Sequence, residues 1–254
     1  MYQDFLSIDY KKVSHKITNF ISEQVKLRKK NGIVLGLSGG LDSSVCLVLA
    51  TKALKKDRIM ALIMPENGIT PKKDIHNARY LANKFKVKYN EIHFENAKTK
   101  LLSRLPKNNL AAGNISARLR MILLYHYAGT SDLLVLGTSD KSELMIGYFT
   151  KFGDGGADFL PIGGLYKSQV KSLGKELGLP DHIINQPSSP RLWKGHLAEK
   201  QLGLSYSEID IILQHYLNND LDSCDQSEKK IKLVVDMVRK SQHKREPVPI
   251  CNPM

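Results

Sequence analysis

Apolar positions recur every three or four residues from Tyr10 to Lys29, at Val13, Ile17, Phe20, Ile21 and Val25, which predicts a leading helix with one buried stripe. The next apolar run, Gly32 to Leu37, is short and continuous, as a buried strand is. A second helical pattern follows it, with Leu41, Val45, Val48 and Leu49 on one face. Ile59 to Met64 reads as another buried strand, ended by Pro65. Pro71 then suits the first turn of a helix that runs through Ile75, Ala78, Leu81 and Ala82 to about Phe85. Val87 to Phe94 alternates as a strand, a mixed stretch surrounds Pro106, and Ile115 to Tyr127 reads as a helix. Leu133 to Leu136 is a strand that stops at Gly137.

Strand and helix in turn predict an α/β fold: a doubly wound, mostly parallel sheet with helices on both faces, whose ligands gather at the carboxyl ends of the strands. Beyond Tyr166 the pattern is helical only, over Tyr166 to Leu177, Tyr206 to Leu217 and Ser227 to Ser241, so the sheet is complete by about Pro161. The 254 residues are read as a single domain: a leading helix over 1–30, a sheet core over 31–161 and a helical C-terminal part over 162–254. The tail Pro247-Val248-Pro249-Ile250 is expected to be extended.

Composition narrows the class of partner. Met1-Tyr2-Gln3-Asp4 lacks the basic start of a leader, and no uncharged run approaches the ~20 residues of a membrane span, so a soluble, cytoplasmic protein is expected with no membrane partner. The three cysteines, Cys46, Cys224 and Cys251, are far apart and out of metal-ligand spacing, and Cys46 falls inside an apolar helix, as a core residue would. A net charge of +13 is spread along the chain in short pairs such as Lys29-Lys30 and Lys72-Lys73, a pattern of solvated helix ends that favours small polyanions over nucleic acid.

Chemistry concentrates where the first strand meets its helix, at Gly36-Leu37-Ser38-Gly39-Gly40-Leu41-Asp42-Ser43-Ser44. Adjacent glycines let the backbone turn tightly, and the amides and dipole of the new helix point at whatever sits there, so phosphate is the natural ligand. No lysine follows Gly39-Gly40, which excludes a Walker A loop and requires a cation from elsewhere. Ser38 or Asp42 could equally cap the helix. The string resembles the pyrophosphate loop of the N-type ATP pyrophosphatases, enzymes that cleave ATP between its α and β phosphates. A second segment, Gly137-Thr138-Ser139-Asp140-Lys141-Ser142-Glu143, starts at the end of a strand, so Glu143 can face Asp42. An acid from each of two loops suits Mg²⁺, which keeps phosphate oxygens and water as its other ligands.

The passage Gly147 to Asp158 packs four glycines, two acids and three aromatics into twelve residues, which reads as a binding loop. Together with Gly113 to Met121 and the glycine loop, it resembles the ammonia-dependent NAD synthetases, over about Gly32 to Arg245. That resemblance implies an adenine-nucleotide alpha-hydrolase-like core that binds ATP through Gly36, Leu37, Ser38, Gly39, Gly40, Leu41, Asp42 and Ser43, with Thr138, Lys167 and Ser188. It implies Asp42 and Glu143 as magnesium ligands. Deamido-NAD would be held by Arg118, Lys151, Asp158, His243 and Lys244. Residues 118 and 120 point about 200° apart on a helix, so only one can reach a given ligand; the family pattern selects Arg118, leaving Arg120 a structural or interface role.

The implied reaction is amidation of deamido-NAD. Its carboxylate attacks the α-phosphorus of ATP, pyrophosphate leaves into the glycine loop, and ammonia displaces AMP from the adenylated dinucleotide to give NAD. Asp42 and Lys167 would serve the first step, and Asp158 or Asp154 the proton removal. Glutamine-using relatives add an amidase domain for which a chain this short has no room, so free ammonia is the expected donor. A homodimer is expected, because relatives bind the dinucleotide across a two-fold interface. Residues 187–199 depart from the family: where it carries a Gln-Thr/Ser-Asp-Glu run, this chain reads His196-Leu197-Ala198-Glu199. The rival readings are a tRNA-modifying ATP pyrophosphatase and a non-catalytic nucleotide-binding module.

Overall fold

The computed structural model describes residues 6–253. Met1 to Asp4, read above for a leader, lie outside the described residues. Four parallel strands, β1 (Gly32–Gly36), β2 (Ile59–Ile63), β3 (Lys88–Glu91) and β4 (Leu133–Leu136), form one sheet in the order β3-β2-β1-β4. The register sets Leu35 between Ala61 and Leu136, and a parallel bridge from Leu136 to Phe159 prolongs the sheet past β4. The helices are α1 (Tyr10–Leu27), α2 (Leu41–Ala53), α3 (Lys72–Lys84), α4 (Glu95–Leu102), α5 (Asn109–Ser131), α6 (Lys141–Ile146), α7 (Lys167–Glu176), α8 (Asp181–Ile184), α9 (Ala198–Leu202), α10 (Tyr206–Asn218) and α11 (Glu228–Lys240).

Successive strand residues face opposite sides of the sheet. Ile33 and Leu35 of β1, Ala61 and Ile63 of β2, and Leu134 and Leu136 of β4 enter one core with α1, α2, α3, α7 and α8. Val34, Leu62 and Val135 enter the other, against Phe94 and the α5 residues Leu123, Leu124 and Ala128. A third apolar cluster joins Ile146 of α6 to Ile209, Ile212 and Leu213 of α10 and Val234 and Val238 of α11. The chain steps outward from β1 to β3 and then returns to β4 on the other side of β1. That reversal opens a crevice at the carboxyl ends of β1 and β4.

Three local expectations change. α2 buries Ser43 to Ala50 on every side rather than one face, because it lies between the sheet, α1 and α7. The mixed stretch before Pro106 contains α4, and β3 is limited to four residues of the expected Val87–Phe94 run because it is the outer strand. α5 extends well beyond 115–127: Asn108 caps its start by accepting the Ala111 N–H at 2.9 Å, and Asp132 ends it in the left-handed region at φ 54°.

Candidate active site

β1 ends at Gly36, and the chain turns through Leu37 to Gly40 into α2. Gly39 has φ +77°, and a Cβ there would lie 2.0 Å from the Asp74 carbonyl oxygen, so only glycine lets this loop pass so close to α3. Neither Ser38 nor Asp42 caps α2; its N-cap is Gly40, which has no side chain to do so. The two serines hold each other instead, with Ser38 Oγ 2.9 Å from Ser43 Oγ. The first amides of α2 therefore keep their donors and the helix dipole for a ligand.

A cavity of about 830 Å³ opens over this loop, a size typical of small-molecule sites. Gly36, Leu37, Ser38, Gly40, Leu41, Asp42 and Ser43 line it, with Thr138, Glu143, Lys167 and Ser188. Gly39 lies outside the lining, since its backbone is turned onto α3.

Lys167, at the start of α7, supplies the cation that the loop lacks. Its Nζ donates to Asp42 Oδ2 at 2.8 Å and to Glu143 Oε1 at 2.9 Å, and it lies 2.9 Å from Asp140 Oδ2. Asp42 and Glu143, 101 positions apart in the chain, thus share one ammonium. Asp42 Oδ1 and Asp140 Oδ2 are buried with no hydrogen-bond partner, and Asp42 is the one of the two that lines the cavity. Burial pushes the Glu143 carboxyl up to about 8 and that of Asp140 to about 6, against the pull of the Lys167 ammonium. Burial also disfavours the charge of Lys167, but the three carboxylates outweigh it and hold the ammonium well above the ordinary lysine range.

Two further acids and a serine, not singled out by their type, build this cluster. Asp140 and Glu143 form a reciprocal cap on α6, with the Glu143 N–H donating to Asp140 Oδ1 at 2.8 Å. The Asp-x-x-Glu spacing is the sequence signal for it. Asp210 is fully buried on α10; it accepts from Ser142 Oγ and, at 2.8 Å, from the Ser168 N–H, while Ser142 Oγ accepts from the Lys167 N–H at 2.9 Å. This network fixes the first turn of α7 under Lys167. Its signal is a lone acid between Ile209 and Ile211 in an apolar helix. The Tyr206 ring closes the far side, 5.1 Å from Lys167 Nζ.

The residues expected to hold the dinucleotide divide. Arg118 Nη2 donates to the Lys151 carbonyl at 3.3 Å, Lys151 Nζ donates to the His243 carbonyl at 2.6 Å, and Lys244 Nζ donates to the carbonyls of Gly147 and Phe149 at 2.7 and 2.8 Å. These four form one basic surface beside the cavity, with Lys244 in its lining and Arg118, Lys151 and His243 outside it. Arg120 does line the cavity, its Nε donating to the Met64 carbonyl at 3.0 Å, a structural contact inside the cleft rather than on an outer surface.

Asp158 is separate. Its carboxylate accepts the Val135 N–H at 2.7 Å and the Tyr125 hydroxyl at 3.3 Å, which ties it to β4 beside the cavity and outside its lining. Asp154, the alternative base, lines the cavity, accepts the Thr150 N–H at 2.8 Å, and has its carboxyl pushed up by burial.

The departing segment 187–199 is ordered by contacts of its own. Arg191 Nε meets Asp74 Oδ2 at 2.8 Å, Trp193 stacks on His196 with ring centroids 3.5 Å apart, and His196 Nε2 lies 2.6 Å from Gln201 Oε1. The Ser188 carbonyl accepts the Ala198 N–H at 2.9 Å, which closes the segment into a loop beside the cavity.

Known proteins resemble this chain in sequence and fold. An NH(3)-dependent NAD(+) synthetase of Staphylothermus marinus is 42% identical over 258 residues, spanning 98% of this chain and 94% of the relative. Among solved structures, an NMN synthetase from Francisella tularensis superposes with a TM-score of 0.87 at 34% identity, covering 97% of this chain and 100% of that one. An NH3-dependent NAD synthetase from Campylobacter jejuni gives 0.84 at 33% identity, covering 96% and 100%. With the sequence model of NAD synthase matching residues 13–248 as well, this chain belongs to the NAD synthase family.

Proposed function

We infer that the protein is a ligase that uses ATP and ammonia to convert deamido-NAD to NAD, releasing AMP and pyrophosphate. The observation that carries this reading is the Lys167 ammonium shared by Asp42 and Glu143 at the uncapped start of α2, within a chain that matches NAD synthase over residues 13–248. A carboxylate is a poor electrophile, so it must first be activated. The nicotinate carboxylate attacks the α-phosphorus of ATP, and pyrophosphate departs over Ser38, Ser43 and the amides of α2. Lys167 balances the charge that develops on the phosphoryl oxygens, an electrostatic contribution that is in place before reaction. Ammonia attacks the activated acyl carbon, AMP leaves, and Asp154 takes the surplus proton.

Asp42 and Glu143 would hold Mg²⁺. The fit rests on the buried, unpartnered Asp42 Oδ1 beside a second carboxylate, enough protein ligands for an ion that completes its shell with phosphate and water. When bound, the ion neutralises the charge of the departing pyrophosphate. Thr138, Ser188 and the loop Gly36 to Ser43 position ATP. The surface of Arg118, Lys151, His243 and Lys244, with Asp158, takes the dinucleotide.

The exposed face of α5 supports a homodimer, with Arg118, Ile122 and Tyr125 in one row and Ile122 55% exposed. The three parts, 1–30, 31–161 and 162–254, work as one unit, since α7 and α8 of the last pack into the sheet core. A cytoplasmic location accords with three free cysteines and with the need for ATP; no helix among the described residues is long and apolar enough to cross a membrane.

The likeness to an NMN synthetase supports a second reading in which the acceptor is the shorter mononucleotide. One assay separates the two. Purified protein with Mg-ATP and ammonium is given deamido-NAD or nicotinate mononucleotide, and NAD or NMN, AMP and pyrophosphate are quantified. Equal amounts of NAD, AMP and pyrophosphate are expected, and Asp42→Ala should abolish all three while its circular dichroism is unchanged. ADP and phosphate as products, or preference for the mononucleotide, would replace the first reading.

A further inference from the structure

The three carboxylates around Lys167 are not equivalent. Asp42 and Glu143 line the cavity, with 23% and 17% of their side-chain surface exposed, whereas Asp140 is fully buried and outside the lining. Asp140 is also held from behind. Its Oδ1 accepts the Glu143 N–H at 2.8 Å, and its own N–H donates to Glu143 Oε2 at 3.3 Å, so the side chain is locked at the start of α6. Anything entering from the cavity meets Asp42 and Glu143 first.

We propose that Asp140 is a positioning residue, which keeps the Lys167 ammonium at the floor of the nucleotide site while Asp42 and Glu143 turn to an incoming divalent cation. This rests on the nucleotide-site reading above. An ammonium has three N–H donors, and three carboxylates surround this one. A doubly charged ion that recruits the two exposed acids would leave the lysine buried without a counter-charge, which is strongly disfavoured. Asp140, out of the ion's reach and 2.9 Å from the ammonium, stays as its counter-charge and leaves the N–H donors given up by Asp42 and Glu143 for phosphoryl oxygens. The residue thus has two separable duties, a helix cap and a counter-charge. Asn performs the first as well as Asp does and cannot perform the second.

The test uses the full chain and Asp140→Asn. Mn²⁺ is titrated calorimetrically into protein saturated with α,β-methylene ATP, melting is followed in the absence of metal, and kcat and KM are measured for ATP and ammonium. If Asp140 positions Lys167, the variant melts no lower than the parent, because fewer acids then crowd one ammonium. It binds Mn²⁺ at least about ten-fold more weakly and loses at least about ten-fold in kcat, with KM for ammonium unchanged. Parent-like metal affinity and kcat would overturn the proposal and leave Asp140 as a cap alone. Should Asp140→Asn not fold, Asp140→Ser, whose hydroxyl also caps, is put through the same measurements; loss of the fold in both overturns the proposal too, by making the carboxylate a requirement of folding. The metal titration reads binding and not product, so a parent that forms no NAD would sink the functional reading while leaving this result intact.

Discussion

At the scale of single residues, the elevated Glu143 carboxyl sets the pH behaviour of the site. Its folded value of about 8 lies above the 4.5 of an unperturbed glutamate, so between those values the folded chain holds a proton that the unfolded chain has released. The metal-free protein therefore loses stability from this group as pH rises through that window. Melting temperatures between pH 5.5 and 8 should fall less steeply in Glu143→Gln than in the parent, and an unchanged slope would refute the assignment. Binding of Mg-nucleotide at pH 7 should expel the proton, seen as proton release by calorimetry in buffers of different ionisation enthalpy and absent from Glu143→Gln. Gly39 makes a different demand, for room and for a left-handed backbone. Gly39→Ala should cost about 1–3 kcal/mol in urea denaturation and remove turnover together with it, because the loop must shift away from Asp74.

At the scale of elements, the helices of the C-terminal part are held by polar contacts at their ends as well as by apolar packing. Ser205 caps α10, and Glu208 Oε2 accepts the Ser205 N–H at 2.8 Å while its Oε1 takes Lys230 Nζ of α11 at 2.6 Å. The Lys230 contact, then the Ser205 bonds, hold the Glu208 carboxyl down at about 2. A depressed carboxyl contributes stability above its unfolded value of 4.5, and that contribution is lost as pH falls from there toward about 2. With 27% of the Glu208 side chain and 41% of Lys230 exposed, solvent screens the pair to about 0.5–1 kcal/mol. Glu208→Gln should lower the melting temperature slightly at pH 7 and by less as pH falls toward 2, a convergence that thermal scans across this range would reveal. An element boundary was legible where a proline marks it, as at Pro71 before α3. The boundaries of α5 were not, and burial was hidden where tertiary packing sets it, as for α2, which lies between the sheet, α1 and α7.

At the scale of the whole molecule, the outer face of α5 carries Ile122 and Tyr125 beside the basic surface of Arg118 and Lys151. If two copies meet there, Ile122→Glu should convert a dimer to monomer in sedimentation equilibrium and raise KM for deamido-NAD more than KM for ATP; a variant that stays dimeric would place the interface elsewhere. The sequence by itself determined the alternation of strand and helix, the glycine loop, the Gly147 to Asp158 passage and hence the family, because each is a local pattern whose physics acts within a few residues. It could not rank the acids. Asp158 and Glu143 look alike as isolated carboxylates, yet one accepts the Val135 N–H of β4 and the other meets Lys167 in the cavity. Only the tertiary structure decided that, since Asp42, Asp140 and Glu143 converge on an ammonium up to 125 residues away. Burial and charge balance act through space, and the distances that govern them are set by the register of β1 against β4 and the seating of α7.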